Sequence, residues 1–126
     1  GMTFRVARHT NNLEAIKAFY ITILGFQELG SFINHEEYDG IFIGQPNDNW
    51  HLEFTQSTDI AQHTFDEDDI LVFYPTSEIE YDAIVNRIKA HQLTFIKAKN
   101  PYWNTNGKML LDPDGYRIVL SKQKTK

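Results

Sequence analysis

The chain has no cysteine, which excludes disulfides, thiolate metal sites and cysteine nucleophiles together. No apolar run reaches membrane-spanning length, and the first residues carry no signal-peptide core. No membrane partner is therefore expected, and the cytoplasm is the expected compartment. Positive charge is scarce: 12 Lys and Arg stand against 17 Asp and Glu, a net charge of −5. A sequence-independent grip on nucleic acid relies on clustered Lys and Arg, so no nucleic-acid partner is expected either. The short basic end, Lys122 to Lys126, reads as a solvated tail. A glycine-rich phosphate loop, a nucleophile elbow and an HExxH pair are all missing. Gly1 ahead of Met2 reads as a cloning remnant and is set aside.

What is present is a repeat. Asn47-Asp48-Asn49-Trp50-His51-Leu52-Glu53-Phe54 runs turn, aromatic, basic, aliphatic, X, apolar. Pro113-Asp114-Gly115-Tyr116-Arg117-Ile118-Val119-Leu120 runs the same way, 66 residues later (119 − 53). Each is a tight turn feeding a strand whose side chains alternate between two faces. The X position is Glu53 in one copy and Val119 in the other.

The surrounding pattern repeats as well. Thr3–His9 alternates like a strand. Asn11 and Glu14 have the spacing of a capping box, and Leu13, Ile16, Phe19, Tyr20, Ile23 and Leu24 follow at helical spacing before Gly25. Residues 26–34, 38–44 and 49–55 then read as strands. In the second half, Asp69–Tyr74 reads as a strand. Ser77 and Glu80 form a second capping box, and Tyr81, Ile84, Val85 and Ile88 make a helical stripe. Strands are predicted near 94–98, 107–112 and 115–121. The expected architecture is α+β, with tandem βαβββ modules forming a curved mixed sheet around a cavity. The 126 residues suit one domain spanning 2–126, with modules at 2–55 and 69–122 and a polar, acidic linker at about 56–68. Each helix must bury its stripe on one face of its sheet. The other faces then carry Arg5, Ala7 and His9, then His51, Glu53 and Thr55, and finally Arg117, Val119 and Ser121.

Two segments carry a family resemblance. Asn12 to Phe26, with its FY…LGF pattern, resembles the first helix of the vicinal-oxygen-chelate superfamily. Asp112-Pro113-Asp114-Gly115-Tyr116-Arg117-Ile118 resembles that superfamily's DPDG turn into its last strand. With the duplication, the resemblance covers essentially the whole chain. The superfamily includes glyoxalase I, extradiol dioxygenases, fosfomycin-resistance enzymes and metal-free bleomycin-resistance binding proteins, so fold alone does not settle function. In its metal-dependent members, cavity-facing His, Glu or Gln on the first, fourth, fifth and eighth strands hold a divalent Lewis acid.

The resemblance places those four positions at Arg5, Glu53, Asp69 (or Asp68 in a neighbouring register) and Val119. Arginine offers no lone pair and valine no donor atom, so two of the four cannot ligate. Arg5 is expected level with Glu53 and paired with it, replacing the metal's charge. On that register His9 and His51 lie roughly 20 Å apart along the strands. His35, His63 and His91 are expected at turns or a helix end, on the surface. Tyr102 and Trp103 fall in the loop that often covers the cavity in this superfamily, where they could stack on a ligand or pack against their own domain.

The expected function is small-molecule binding without the usual metal or any other cofactor. An oxygen-rich or anionic ligand would be contacted by Arg5, His9, His51, Glu53, Asp69, Tyr102, Trp103 and Arg117. One alternative is a divalent-metal-dependent lyase, isomerase or dioxygenase with a rearranged site using Glu53, His51 and Asp69. Another is a non-catalytic interaction module. Open sheet edges and the habits of relatives imply a homodimer.

Overall fold

Alternating segments near residues 4–9 and 50–56 become neighbouring strands. In this computed structural model, which describes residues 1–122, β1 (Phe4–His9) and β4 (Trp50–Gln56) pair in parallel. Between them come α1 (Leu13–Lys17), β2 (Gln27–His35) and β3 (Tyr38–Gly44), and the sheet order is β1-β4-β3-β2. A second sheet, order β5-β7-β6, contains β5 (Ile70–Phe73), β6 (Gly107–Leu111) and β7 (Arg117–Ser121). Two further helices, α2 (Glu78–Ala90) and α3 (Pro101–Asn106), belong to the second half. The chain divides into two compact units, residues 1–63 and 64–126. The α+β class expected from the sequence is what forms. The residues after Lys122 in the expected basic tail lie outside the described residues.

In the first unit the apolar stripe finds its sheet. Ile16, Phe19, Tyr20, Ile23 and Leu24 are buried, as are Ile41, Ile43, Leu52 and Phe54. The Tyr20 and Phe54 rings lie 5.0 Å apart, and Phe26 meets Trp50 edge-on at 5.6 Å. Alternation therefore puts Trp50, Leu52 and Phe54 on the helix-covered face and His51, Glu53 and Thr55 on the other. After Lys17 the helix widens into a π-helix over Ala18–Ile23, where the Leu24 N–H reaches the Phe19 carbonyl at 3.0 Å. Gly25 ends it at φ 90°, a conformation costly for any residue with a Cβ.

The cap is one residue later than the spacing predicts. Asn12, not Asn11, accepts from the Ala15 N–H at 3.0 Å. Asn11 instead ties down the irregular segment after β4. Its amide accepts from the Ala61 N–H at 2.7 Å and donates to the Ala61 carbonyl at 3.2 Å. Backbone outside a sheet or helix needs such partners, and a local capping rule does not anticipate them. In the second unit Ser77 does cap α2, accepting from the Glu80 N–H at 3.1 Å.

Two strand expectations in the second unit need correction. Residues 94–98 form no strand; only Ile96 bridges to Met109, because Asn104 takes both backbone groups of Ala98 with its side-chain amide. Asp69 precedes β5 rather than opening it, its N–H turned back to the Asp66 carbonyl at 3.1 Å. The DPDG turn behaves as its residues require. Asp112 is buried and accepts from the Asp114 and Tyr116 N–H groups at 2.9 and 3.0 Å, and Gly115 takes φ 94°.

Candidate functional site

The parallel pairing of β1 with β4 sets the first unit's site. Arg5 lies level with His51, and Ala7 with Glu53. The expectation had Arg5 level with Glu53, two residues further along. A parallel register between strands more than forty residues apart has no turn to specify it, which is why the sequence misleads here. Arg5 still reaches Glu53, by reaching along the face. Its Nε–H donates to His51 Nε2 at 2.8 Å and its Nη1 to Glu53 Oε1 at 3.2 Å. The first bond assigns the lone pair of His51 to Nε2 and its ring proton to Nδ1.

Phe42 completes the cluster, and the sequence reading missed it. It pairs with Glu53 across β3 and β4, so it shares the face of Glu53. The Arg5 guanidinium carbon sits 4.8 Å from the centre of the Phe42 ring, and His51 meets that ring edge-on at 5.8 Å. The signal was available, since Ile41 and Ile43 both belong to the buried side and alternation sends Phe42 to the opposite one. Arg5 is half exposed, whereas only 14% of the Glu53 side chain is accessible. Solvent therefore screens the pair at one end.

His9 is on the same strand and face but lies level with Thr55, four residues beyond His51 (55 − 51). That is about 13 Å at strand spacing, shorter than the expected separation but still too far for one ion. Its Nε2 is 3.0 Å from Ser57 Oγ. His63, expected on the surface, is half-buried and bonds the His9 carbonyl at 2.7 Å. His35 ends β2 and His91 caps α2, both exposed.

In the second unit the positions that correspond to Arg5 and Glu53 are apolar. Arg117 stands 66 residues after His51, and the residue level with it on β5 is Ile70. Ile70 thus takes the place that Arg5 takes in β1. Val119 pairs with Val72 and Met109, as Glu53 pairs with Ala7 and Phe42. Val119 is fully buried in a cluster with Ala98 and Met109, and Trp103 packs against that cluster. Tyr102 is exposed with its ring 4.8 Å from Trp103, edge-on. Arg117 faces Glu67 at 3.9 Å, and Asp69 is exposed. Among the described residues, no three His, Asp or Glu side chains group as a metal site would require. The residues present do not fit the superfamily's metal: a cation occupies one position, and an aliphatic core fills another.

Residues 4–55 match the model of the YycE-like N-terminal domain, and residues 68–122 that of the YycE-like C-terminal domain. The chain belongs to the YycE-like family. The uncharacterized protein YycE of Bacillus subtilis (strain 168) is 39% identical over 124 residues, which is 95% of this chain and 87% of that protein. The crystal structure of a YycE protein of unknown function from Bacillus subtilis superposes with a TM-score of 0.87 at 36% identity, covering 98% of this chain and 91% of the other. At 18% identity the likeness is one of fold alone. Glyoxalase I of Leishmania major gives a TM-score of 0.73, covering 94% of this chain and 84% of its own. The antibiotic binding protein TnmS3 of Streptomyces sp. CB03234 gives 0.70, covering 98% and 97%. The YycE-like fold is thus that of the vicinal-oxygen-chelate superfamily. Among the described residues no helix is long and apolar enough to cross a membrane.

Proposed function

We propose that this YycE-like protein is a cytoplasmic small-molecule binding protein that uses an arginine where metal-dependent members of its superfamily use an ion. The observation that carries the reading is the tethering of Arg5 to His51 and Glu53. A divalent ion needs lone pairs, and both neighbours direct theirs at a guanidinium. A fixed cation with unused N–H groups is in turn a receptor for oxygen-rich or anionic ligands. The fold supports binding without chemistry, since one structural neighbour is an antibiotic binding protein.

The test is elemental analysis of protein purified without chelators. The expected result is far less than one zinc, nickel, iron or manganese per chain. One ion per chain, lost on Glu53→Ala, would mean a rearranged metal site and a superfamily enzyme instead. Homodimerisation is part of the same proposal, because β1 and β2 are the edge strands of their sheet. Sedimentation velocity is expected to show a dimer at micromolar concentration; a monomer at every concentration would remove this part.

A further inference from the structure

The second unit holds a polar cavity of about 330 Å³, lined by the start of α2, the end of α3, the start of β6 and Lys122. That volume lies at the small end of the range for ligand pockets, roughly 300–1,000 Å³, and leaves room for one small ring compound. Backbone contacts fix its walls. Ser77 caps α2, the Lys122 N–H donates to the Asn106 carbonyl at 3.0 Å, and a Cβ at Gly107 would collide with the Leu120 carbonyl.

Tyr81 points to a ligand. It lines the cavity while only 8% exposed, and its hydroxyl has no hydrogen-bond partner among the described residues. No side-chain nitrogen or oxygen sealed from solvent lacks a partner, so this hydroxyl is not sealed in; it reaches the cavity. Burial, reinforced by the neighbouring Asp82 carboxylate, pushes the Tyr81 hydroxyl above its ordinary pKa of 10.0. The group therefore stays neutral, able both to donate and to accept. Glu78 and Asp82 bring carboxylates to the lining, and Lys108 and Lys122 bring ammonium groups. None of the four joins an ion pair among the described residues. Asn106 donates its amide N–H to the Tyr102 carbonyl at 2.8 Å and keeps Oδ1 as an acceptor. The lining thus presents unpaired donors and acceptors whose formal charges cancel. A hydroxyl can donate to a carboxylate and accept from an ammonium group at once. A ring carrying several hydroxyls can meet both kinds of wall together, whereas the same ring without them displaces water and returns no hydrogen bonds. We propose that this cavity is a ligand site of the second unit, independent of Arg5, that binds a small cyclic polyol such as a pyranose sugar.

The experiment is an amide-resolved NMR titration of the whole chain with 1,5-anhydro-D-glucitol, its manno and galacto epimers, and tetrahydropyran-2-methanol, the same skeleton without the ring hydroxyls. At least one epimer is expected to give saturable shifts confined to the cavity lining, with a millimolar Kd. Tetrahydropyran-2-methanol is expected to bind about tenfold more weakly, or not at all. Tyr81→Phe is expected to weaken polyol binding about three- to tenfold, the value of one hydrogen bond, and to keep the parent's urea midpoint, because the hydroxyl has no partner inside the protein. Shifts confined to other residues, or none from any of the epimers, would overturn the site. Equal binding of tetrahydropyran-2-methanol would overturn the polyol as its ligand. A lowered urea midpoint with unchanged polyol affinity in Tyr81→Phe would make the hydroxyl structural and remove it from the site.

Discussion

Val119→Glu, which restores the carboxylate that the superfamily's metal-dependent members carry after the DPDG turn, is expected to destabilise the protein by about 3–5 kcal/mol and to create no metal site. Val119 has no accessible surface and sits among Ala98, Met109, Val72, Ile70, Ile96 and Trp103. Apart from the single indole N–H of Trp103 these side chains have nothing to solvate a charge, so the introduced carboxyl would be held neutral and its pKa driven above the ordinary carboxyl range. The sign follows from linkage. A group whose folded pKa is raised takes up a proton on folding. The penalty from its ionisation is therefore absent below about pH 4 and grows as pH rises towards the folded pKa. Val119→Thr, of similar shape with one hydroxyl, should cost only about 1–3 kcal/mol and show no such pH dependence. Urea denaturation at pH 4 and pH 8, with and without zinc or nickel, measures all of this. Parental stability, or a midpoint raised by metal, would show that the Val119 environment can still accommodate a ligand set.

Arg5→Ala is expected to weaken carboxylate binding about ten- to a hundredfold, the value of a charge-assisted hydrogen bond, while leaving the fold intact. The loss of stability depends on burial, large for an enclosed Arg5–Glu53 pair and small for one that water reaches. Arg5 is 50% exposed, so the expected loss is about 0–1 kcal/mol after solvent screening. Glu53 is largely enclosed, but the space left by the truncated side chain would admit water to it. Arg5→Leu combined with Glu53→Leu should match the parent in stability and still fail to bind. Titration with a carboxylate probe, 2-naphthoate, and urea denaturation of the same samples separate the two effects. Unchanged affinity in Arg5→Ala would make Arg5 a structural counter-ion only.

These predictions draw on different depths of information. That Glu53 and Val119 occupy matching positions was legible from two stretches of sequence, because a turn followed by an alternating strand is a local pattern. That Val119 lies in a packed apolar cluster was not. It depends on Ala98, Ile96 and Trp103 arriving from a segment that the alternation rule reads as strand and loop. There the Asn104 amide captures the Ala98 backbone and α3 forms in place of an extended chain. The sequence allows Trp103 to be a stacking platform or a packing residue; in the structure it packs against the Val119 cluster and meets Tyr102 edge-on.

By itself the sequence determined what short-range physics controls: the helical stripe from Ile16 to Leu24, the Ser77 cap, the Asp112–Gly115 turn and the faces that strand side chains take. It also decided that Arg5 and Val119 could not ligate a metal, since that follows from their chemistry alone. Only the tertiary structure decided which residues Arg5 touches. β1 and β4 are parallel and far apart in the chain, and no hairpin connects them to set their register. Sliding one along the other by two residues keeps every side chain on its face. The alternation that located the site is therefore silent about whether Arg5 stands beside His51 or Glu53. That choice belongs to the packing of α1 and β3 around the pair.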